Sequence, residues 1–499
     1  MRECRDRAHL VPSFLTFLLL SFLMGCQGLS KAPATGTPTG NSLQTSVNHI
    51  IFLAQENRSF DSYFGAMRQY WADFGYPDQA FDGLPQFPTN APSGAPPTNP
   101  GCDPSINAPG TDCTVNANAS PVPSFHFLTQ CVENPSPSWN ESHVDFNFAN
   151  PSSGTATLDG FVYTAGHDAR FIQPPFKDIN GQRAMGYYDG SDLNYYYFMA
   201  SNFATSDRWF SPVMSRTTPN RMYLIAGTSQ GHAYPITNTP ATVPTIFEEL
   251  QAANVTWKIY VHPGADGCTS ATCLYQRSYI QNFASGQTIL SQFPQNIVPD
   301  TQFISDAQNG TLPNVAYIEP ASEVGLDEHP ADYDANPPCC SVQAGATYVS
   351  SLIGAVMNGP SWKDSIFILT FDEFGGFYDH VHPQPAVSPD GIRPSDLLPG
   401  DVCTSVTGPT CDFVYTGYRV PLIVISPFTK KHYVSHTVAD LTAILKLIET
   451  RFNVPALTKR DAAQMDMTEF FDFTNPPWVT PPQVPAQNQG GPCYLDHLP

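Results

Sequence analysis

Short apolar runs alternate with polar, turn-rich stretches along the chain. Val47–Ala54 is mostly apolar and ends in polar residues, which predicts a first, central strand. Further strands are expected at Thr256–Val261, Pro313–Glu319, Ile366–Phe371 and Val420–Ser426. Helical patterns lie between them: Asp192–Thr205, Pro219–Gly227, Pro244–Ala253 and Val342–Asn358. Pro in the first turn opens the second of these and Gly227 stops it. Thr437–Phe452 is amphipathic, with Leu441, Ile444, Leu445, Leu447 and Ile448 on its apolar side. Strands alternating with helices predict an α/β fold with a largely parallel sheet. Residues 80–125 are rich in Pro, Gly and Asn and read as an insertion loop, and the stretch after Thr474 as a Pro-rich tail.

The polar residues that end these runs carry the chemistry. The run up to Phe371 stops at Asp372-Glu373, and Gly375-Gly376 and Asp379-His380 follow. A buried strand that delivers carboxylates into a Gly-rich turn is where open α/β sheets build sites, and two adjacent anions there are costly unless a cation neutralises them. The first strand ends at Glu56-Asn57, both oxygen ligands for hard or borderline cations. The plain structural alternative is a helix start capped by Asn57 or Ser59. Ser215-Arg-Thr-Thr-Pro-Asn-Arg221 sets hydroxyls before a Pro-initiated helix, whose free N–H groups suit an anion. A hydroxyl there is a nucleophile if a metal lowers its pKa, and otherwise an ordinary N-cap. Glu328-His329-Pro330 and Ser435-His436 add loop histidines; His126, His143, His232 and His382 are weaker candidates. Carboxylates, an amide and a hydroxyl at successive strand ends can share one metal, and histidines can then bind or protonate the other end of a phosphate.

Composition narrows the class. The 499 residues suffice for one large domain with insertions, or for two. With 23 basic and 44 acidic residues, a surface for nucleic acid is not expected. The N-terminus has Arg2, Arg5 and Arg7 before an apolar stretch, Leu10–Met24, too short for a comfortable membrane span. It ends Met24-Gly25-Cys26, which looks like a lipoprotein signal with Cys26 as the lipidated residue; plain secretory cleavage is the alternative. This gives a signal peptide over 1–25, a flexible tether over 26–46, a catalytic domain over 47–475 and a tail over 476–499, in an exported cell-envelope lipoprotein or a secreted protein. Cys4 and Cys26 aside, ten cysteines remain. Cys102/Cys113, Cys268/Cys273 and Cys403/Cys411 are close in sequence, as are vicinal Cys339-Cys340, and local disulfides are expected, with Cys131 and Cys493 left for a long-range bridge.

Taken together, Glu56–Asp61, Pro219–Arg221, Glu328–Pro330 and Asp372–His380, with Phe374 interposed before the glycines, resemble the bacterial phosphoesterase family of phospholipases C and acid phosphatase, over roughly residues 47–455. The resemblance implies an alkaline-phosphatase-like fold and one divalent metal, of unknown identity, among Glu56, Asn57, Thr217, Asp372 and Glu373. It implies Thr217 as nucleophile, with Thr218 its neighbour, and His329 or His436 assisting the leaving oxygen. Asn57, Arg221, Asp379 and His380 are expected to bind substrate. The chain departs from the pattern in two segments. Glu133–Trp139 has no His before Ser-Trp, so His126 or His143 substitutes or the role is absent, and Asp440-Leu441-Thr442 replaces a commoner Asp-His-Thr. The expected activity is metal-dependent, phospholipase C-type hydrolysis of a phosphodiester such as a phospholipid, through a phosphothreonine. Acid phosphatase is the first alternative and an inactive surface-binding lipoprotein the second.

Overall fold

The computed structural model describes residues 40–88, 93–332, 340–405 and 408–498. The expected signal peptide, Cys26 and Cys339 lie outside the described residues. The central sheet has strands β1 (His49–Gln55), β2 (Ala204–Ser206), β3 (Trp257–Val261), β4 (Ile297–Pro299), β5 (Val315–Ile318), β6 (Ser365–Phe371), β7 (Leu422–Ile425) and β8 (Tyr433–Ser435). Their spatial order is β8-β2-β7-β6-β1-β5-β3-β4. Only the pairings that involve β7 are antiparallel. The fold is therefore α/β with a mixed, largely parallel sheet flanked by helices, as the alternating pattern predicts.

Burial explains the sequence of the inner strands. Every residue of β6 is buried, and so is every residue of β1 after His49. Strands covered on both faces carry continuous apolar runs rather than alternation. Parallel pairing sets Gln55 opposite Phe371. The next residues, Glu56 and Asp372, therefore leave the sheet side by side at its C-terminal edge, and the Asp372 amide still donates to Gln55 O at 2.9–3.0 Å spacing typical of the ladder, here 3.0 Å.

Helix α1 spans Phe60–Phe64, α2 Thr217–Ala226, α3 Val342–Met357 and α4 Thr442–Phe452. Helix α2 ends on Gly227 at φ 71°, the left-handed stop expected of that glycine. Helix α4 begins five residues later than its amphipathic pattern suggests. Ala439–Asp440 instead pairs with Trp209–Phe210, and Asp440 Oδ1 accepts the Thr442 N–H at 2.8 Å, ending the extended stretch and starting the helix. The stretch Asp192–Thr205 divides into a helix, Asn194–Asn202, and the start of β2. Helices at Trp139–Phe146, Phe161–Phe171 and Asp300–Asn309 were not expected.

The described residues of the insertion at 80–125 are mostly irregular and are stapled by Cys102–Cys113. Cys268–Cys273 and Cys403–Cys411 close two further loops, and Cys131–Cys493 is the long-range bridge. That bridge, with Gln487 Nε2 donating to Asp192 O at 2.6 Å, straps the irregular tail to the domain. At the other end, Leu43–Ser46, within the expected tether, forms a single helical turn with Leu43 buried. Among the described residues no helix is long and apolar enough to cross a membrane.

Candidate active site

The turns that leave β1 and β6 are folded against each other. Asn57 has φ 58°, a left-handed conformation that asparagine tolerates. Its N–H donates to Asp372 Oδ1 at 3.1 Å, and the Arg58 N–H donates to Glu373 O at 3.0 Å. Gly375, at φ 70°, lies so close that a Cβ would come within 2.2 Å of Asn57 O. Its N–H donates to Glu373 Oε2 at 2.7 Å. The glycine after the carboxylate pair is thus needed twice, for its backbone angle and for the close approach.

Helix α2 brings the hydroxyl. Asn220 closes the preceding loop: its Nδ2 donates to Ser215 O and its Oδ1 accepts the Val213 N–H. Arg216 stands at the N-cap without a side-chain cap, which makes Thr217 the first helical residue rather than the cap. Thr217 Oγ1 donates to Glu56 Oε2 at 3.3 Å and lies 3.5 Å from Asn57 Oδ1. It is half-buried, whereas Glu56, Asn57, Asp372 and Glu373 are buried. One turn further on, Arg221 is fully buried; its Nη2 donates to Glu56 Oε1 at 2.7 Å and its Nε lies 3.3 Å from Asp372 Oδ2. Its guanidinium stacks on the Tyr279 ring at 4.6 Å, and the Tyr279 hydroxyl donates to Glu56 Oε1 at 3.3 Å.

The charges do not balance. Burial alone would raise the Glu56 pKa, but Arg221 foremost, then His329, bring it below the usual carboxylate range. Asp372 is pushed well up, by burial and then by the Glu56 charge, and Glu373 well up by burial and the Asp372 charge. Glu373 Oε1 is buried without a hydrogen-bond partner, and Asp372 Oδ2 has the Arg221 ion pair but no hydrogen bond. Buried carboxylates in this state call for a further cation. An all-oxygen set of carboxylates, amide and hydroxyl suits a divalent metal ion.

His329 lies near enough for its charge to act on Glu56 and Asp327. Its Nδ1 pairs with Pro330 O at 2.6 Å. Asp327 O accepts the Glu56 N–H at 2.9 Å, which ties this loop to the end of β1. Burial raises the Asp327 carboxyl to about 6, and burial raises Glu328 to about 7.

Asp379, His380 and His436, expected at the phosphate, make their contacts in another polar network along the same sheet edge. Buried Arg419 binds Asp379 Oδ1 at 2.8 Å and Asp61 Oδ1 at 3.0 Å. His380 uses both ring nitrogens, on Asp61 at 2.6 Å and on Asp82 at 3.0 Å. His436, half-exposed, binds Asp207 Oδ1 at 2.9 Å, and Asp207 O in turn accepts from Arg419. His143 is buried between Trp139 O and Thr410 O, and His126 rests on Asp192. Arg419 and Tyr279 escaped sequence reasoning because neither stands in a motif or ends an apolar run. Asp327 and Glu328 adjoin His329, and two acids before a loop histidine were the available signal.

Among the described residues, three groups of three side chains have ligand atoms within 4.8 Å of one another, and none includes Glu56, Asp372 or Glu373: Asp61–Asp379–His380, His126–Asp189–Asp192 and Cys131–Cys340–Cys493. The first already holds the Arg419 guanidinium, and the third contains a disulfide.

The sequence model of the Phosphoesterase family matches residues 47–455. Phospholipase C B of Mycobacterium tuberculosis is 29% identical over 483 residues, covering 91% of this chain and 83% of its own. The non-hemolytic phospholipase C of Burkholderia pseudomallei is 28% identical over 485 residues, covering 88% of this chain and 61% of its own. Among solved structures, a protein in the alkaline phosphatase superfamily from Vibrio parahaemolyticus aligns with a TM-score of 0.31 at 11% identity, over 55% of this chain and 62% of that one.

The Arg419 network carries a pH signature. Burial opposes the charge on His380, but Asp61 and then Asp82 raise its pKa to about 10. A folded value above the unfolded one, near 6.5, means the stabilisation is complete below about pH 6.5 and is lost as pH rises through about 10. His380→Gln is expected to lower unfolding free energy at pH 6 by on the order of 2 kcal/mol, with the gap to wild type closing above about pH 10. Denaturant titrations across that range check it; a gap that stays constant contradicts it.

Proposed function

Because the chain belongs to the Phosphoesterase family and is a hydrolase of phosphoric esters, we propose that it cleaves phosphodiesters as a phospholipase C does, through a phosphothreonine on Thr217. One observation carries this reading: the half-buried Thr217 hydroxyl contacts Glu56 and Asn57 at the N-terminal end of α2, beside buried carboxylates that lack sufficient counter-charge. The phospholipase C names of the relatives support the substrate class.

Glu56, Asn57, Thr217, Asp372 and Glu373 are the residues that would hold a divalent cation, which supplies neutralising charge, a lowered hydroxyl pKa and Lewis-acid stabilisation of phosphoryl oxygens. Thr217 Oγ1, ionised with its proton lost to solvent, attacks phosphorus in line, forming the P–Oγ1 bond as the bond to the leaving oxygen breaks. The free N–H groups of the first α2 turn face the growing negative charge. Arg221 stays charged: burial opposes this, but Glu56 and Asp372 hold its pKa well up. It thereby fixes both carboxylates in place for the step. His329 gives the leaving oxygen its proton through the ring nitrogen not engaged by Pro330. Water then attacks the phosphothreonine, with His329 taking the proton, and Thr217 is restored.

Thr217→Ala is expected to lower turnover of phosphatidylcholine by about a thousandfold or more, with the fold intact by circular dichroism. Near-wild-type turnover would remove Thr217 from the mechanism. Wild type is expected to hydrolyse phosphatidylcholine faster than p-nitrophenyl phosphate; the reverse ranking would favour the acid phosphatase reading.

Export is part of the proposal. The four disulfides suit an oxidising compartment. A lipidated Cys26 would attach the protein to a membrane through several acyl chains. Expressed with its own N-terminus in a bacterial host, the wild type is expected to incorporate labelled palmitate and Cys26→Ser is not; equal labelling of the two would exclude this anchor.

A further inference from the structure

The residue before His329 is more tightly held than anything its position requires. Glu328 is fully buried and has φ 69°, a left-handed conformation that costs a non-glycine residue about 1–2 kcal/mol. Its carboxylate accepts the Tyr63 hydroxyl at 2.6 Å, the Gln55 amide at 3.1 Å and the Tyr196 hydroxyl. Its carbonyl accepts Arg58 twice, at 3.1 and 2.6 Å. Helix α3 gives it room: a Cβ on Gly345 would lie 2.2 Å from Glu328 Cγ. The donors come from β1, the turn after it, α1 and the helix Asn194–Asn202, and all converge on one loop residue.

An apolar side chain would fill that space without the desolvation that a buried carboxylate brings. What the arrangement provides is rigidity at a chosen backbone angle. On one side Asp327 is tied to Glu56 through its carbonyl, and on the other stands His329. Fixing φ and the carboxylate and carbonyl contacts of residue 328 sets where the His329 backbone starts, and the Nδ1 contact with Pro330 O then orients the ring. Two of these donors, Gln55 and Arg58, lie on β1 and the turn after it, so the grip references the His329 loop to the strand that leads into Glu56 and Asn57.

We propose that Glu328 is a positioning residue, whose anchored carboxylate aims His329 at the leaving oxygen. The inference rests on His329 as the proton donor of the proposed reaction, and the experiment separates the two. A proton donor matters most for poor leaving groups. Phosphodiesters with leaving groups graded from p-nitrophenol to a simple alcohol are hydrolysed by wild type, His329→Ala, Glu328→Gln and the double variant, and kcat/KM, which reports the steps up to loss of the leaving group and not the later hydrolysis of the phosphothreonine, is compared across the series. His329→Ala is expected to lose about a hundredfold with the alcohol and little with p-nitrophenol. Glu328→Gln is expected to show the same steepening to a smaller extent, and the double variant to be no slower than His329→Ala. A general structural defect would slow all substrates alike.

If His329→Ala steepens the dependence and a folded Glu328→Gln keeps the wild-type slope, the inference is overturned and the proton-donor reading stands. If His329→Ala itself keeps the wild-type slope, the proton-donor reading falls and takes this inference with it. Should Glu328→Gln not fold, Tyr196→Phe removes a single donor and takes its place. A steeper slope than wild type supports the inference, and an unchanged one overturns it.

Discussion

Three carboxylates leave the sheet together, and their mutual repulsion is the constraint around which the site is built. Register places Glu56 beside Asp372, and Glu373 follows directly. All three are buried. Arg221 neutralises part of this charge from inside, reaching two of them. The remainder is what a bound cation would balance. Much of the surrounding structure serves to hold these groups at that spacing against their repulsion: the left-handed Asn57, the close Gly375 turn and the buried Arg221–Tyr279 stack.

The sheet edge carries two polar assemblies with different balances. Around Arg419, the carboxylates of Asp61 and Asp379 meet a guanidinium and a charged imidazole, and the hydrogen bonds close on themselves. Around Thr217, buried carboxylate oxygens are left without donors, and the hydroxyl beside them is partly open. The first arrangement ties together the segments that follow β1, β2 and β6. The second keeps uncompensated charge next to the Thr217 hydroxyl. Buried pairs that are complete hold a structure in register, whereas incomplete ones mark a place for a ligand.

The sequence was most legible where one local rule fixed the answer. The Ile366–Phe371 run, cut off by two acids and two glycines, read as a buried strand ending at a site because strand, charge and turn are all local. Thr217 and Arg221 were legible through the Pro-Asn-Arg start of their helix. What stayed hidden was long-range. Nothing near Asp379-His380 announces Arg419, some forty positions on, as the partner that claims them. The reversal of β7 was not visible in an apolar run that fits either direction. The start of α4 was misread because Leu441 extends the apolar pattern into a segment that Asp440 holds extended. Glu328 looked like a companion to His329, and only the arrival of Tyr63, Tyr196 and Gln55 from separate elements shows what it is anchored to.

Metal content measures the central claim most directly. Purified protein, equilibrated with divalent metals and then dialysed, is expected to retain one equivalent per chain by elemental analysis. Folded Glu56→Gln and Asp372→Asn are expected to retain far less. A wild-type protein that keeps no metal, or variants that keep as much as wild type, would contradict the view that these carboxylates are gathered to hold a cation beside Thr217.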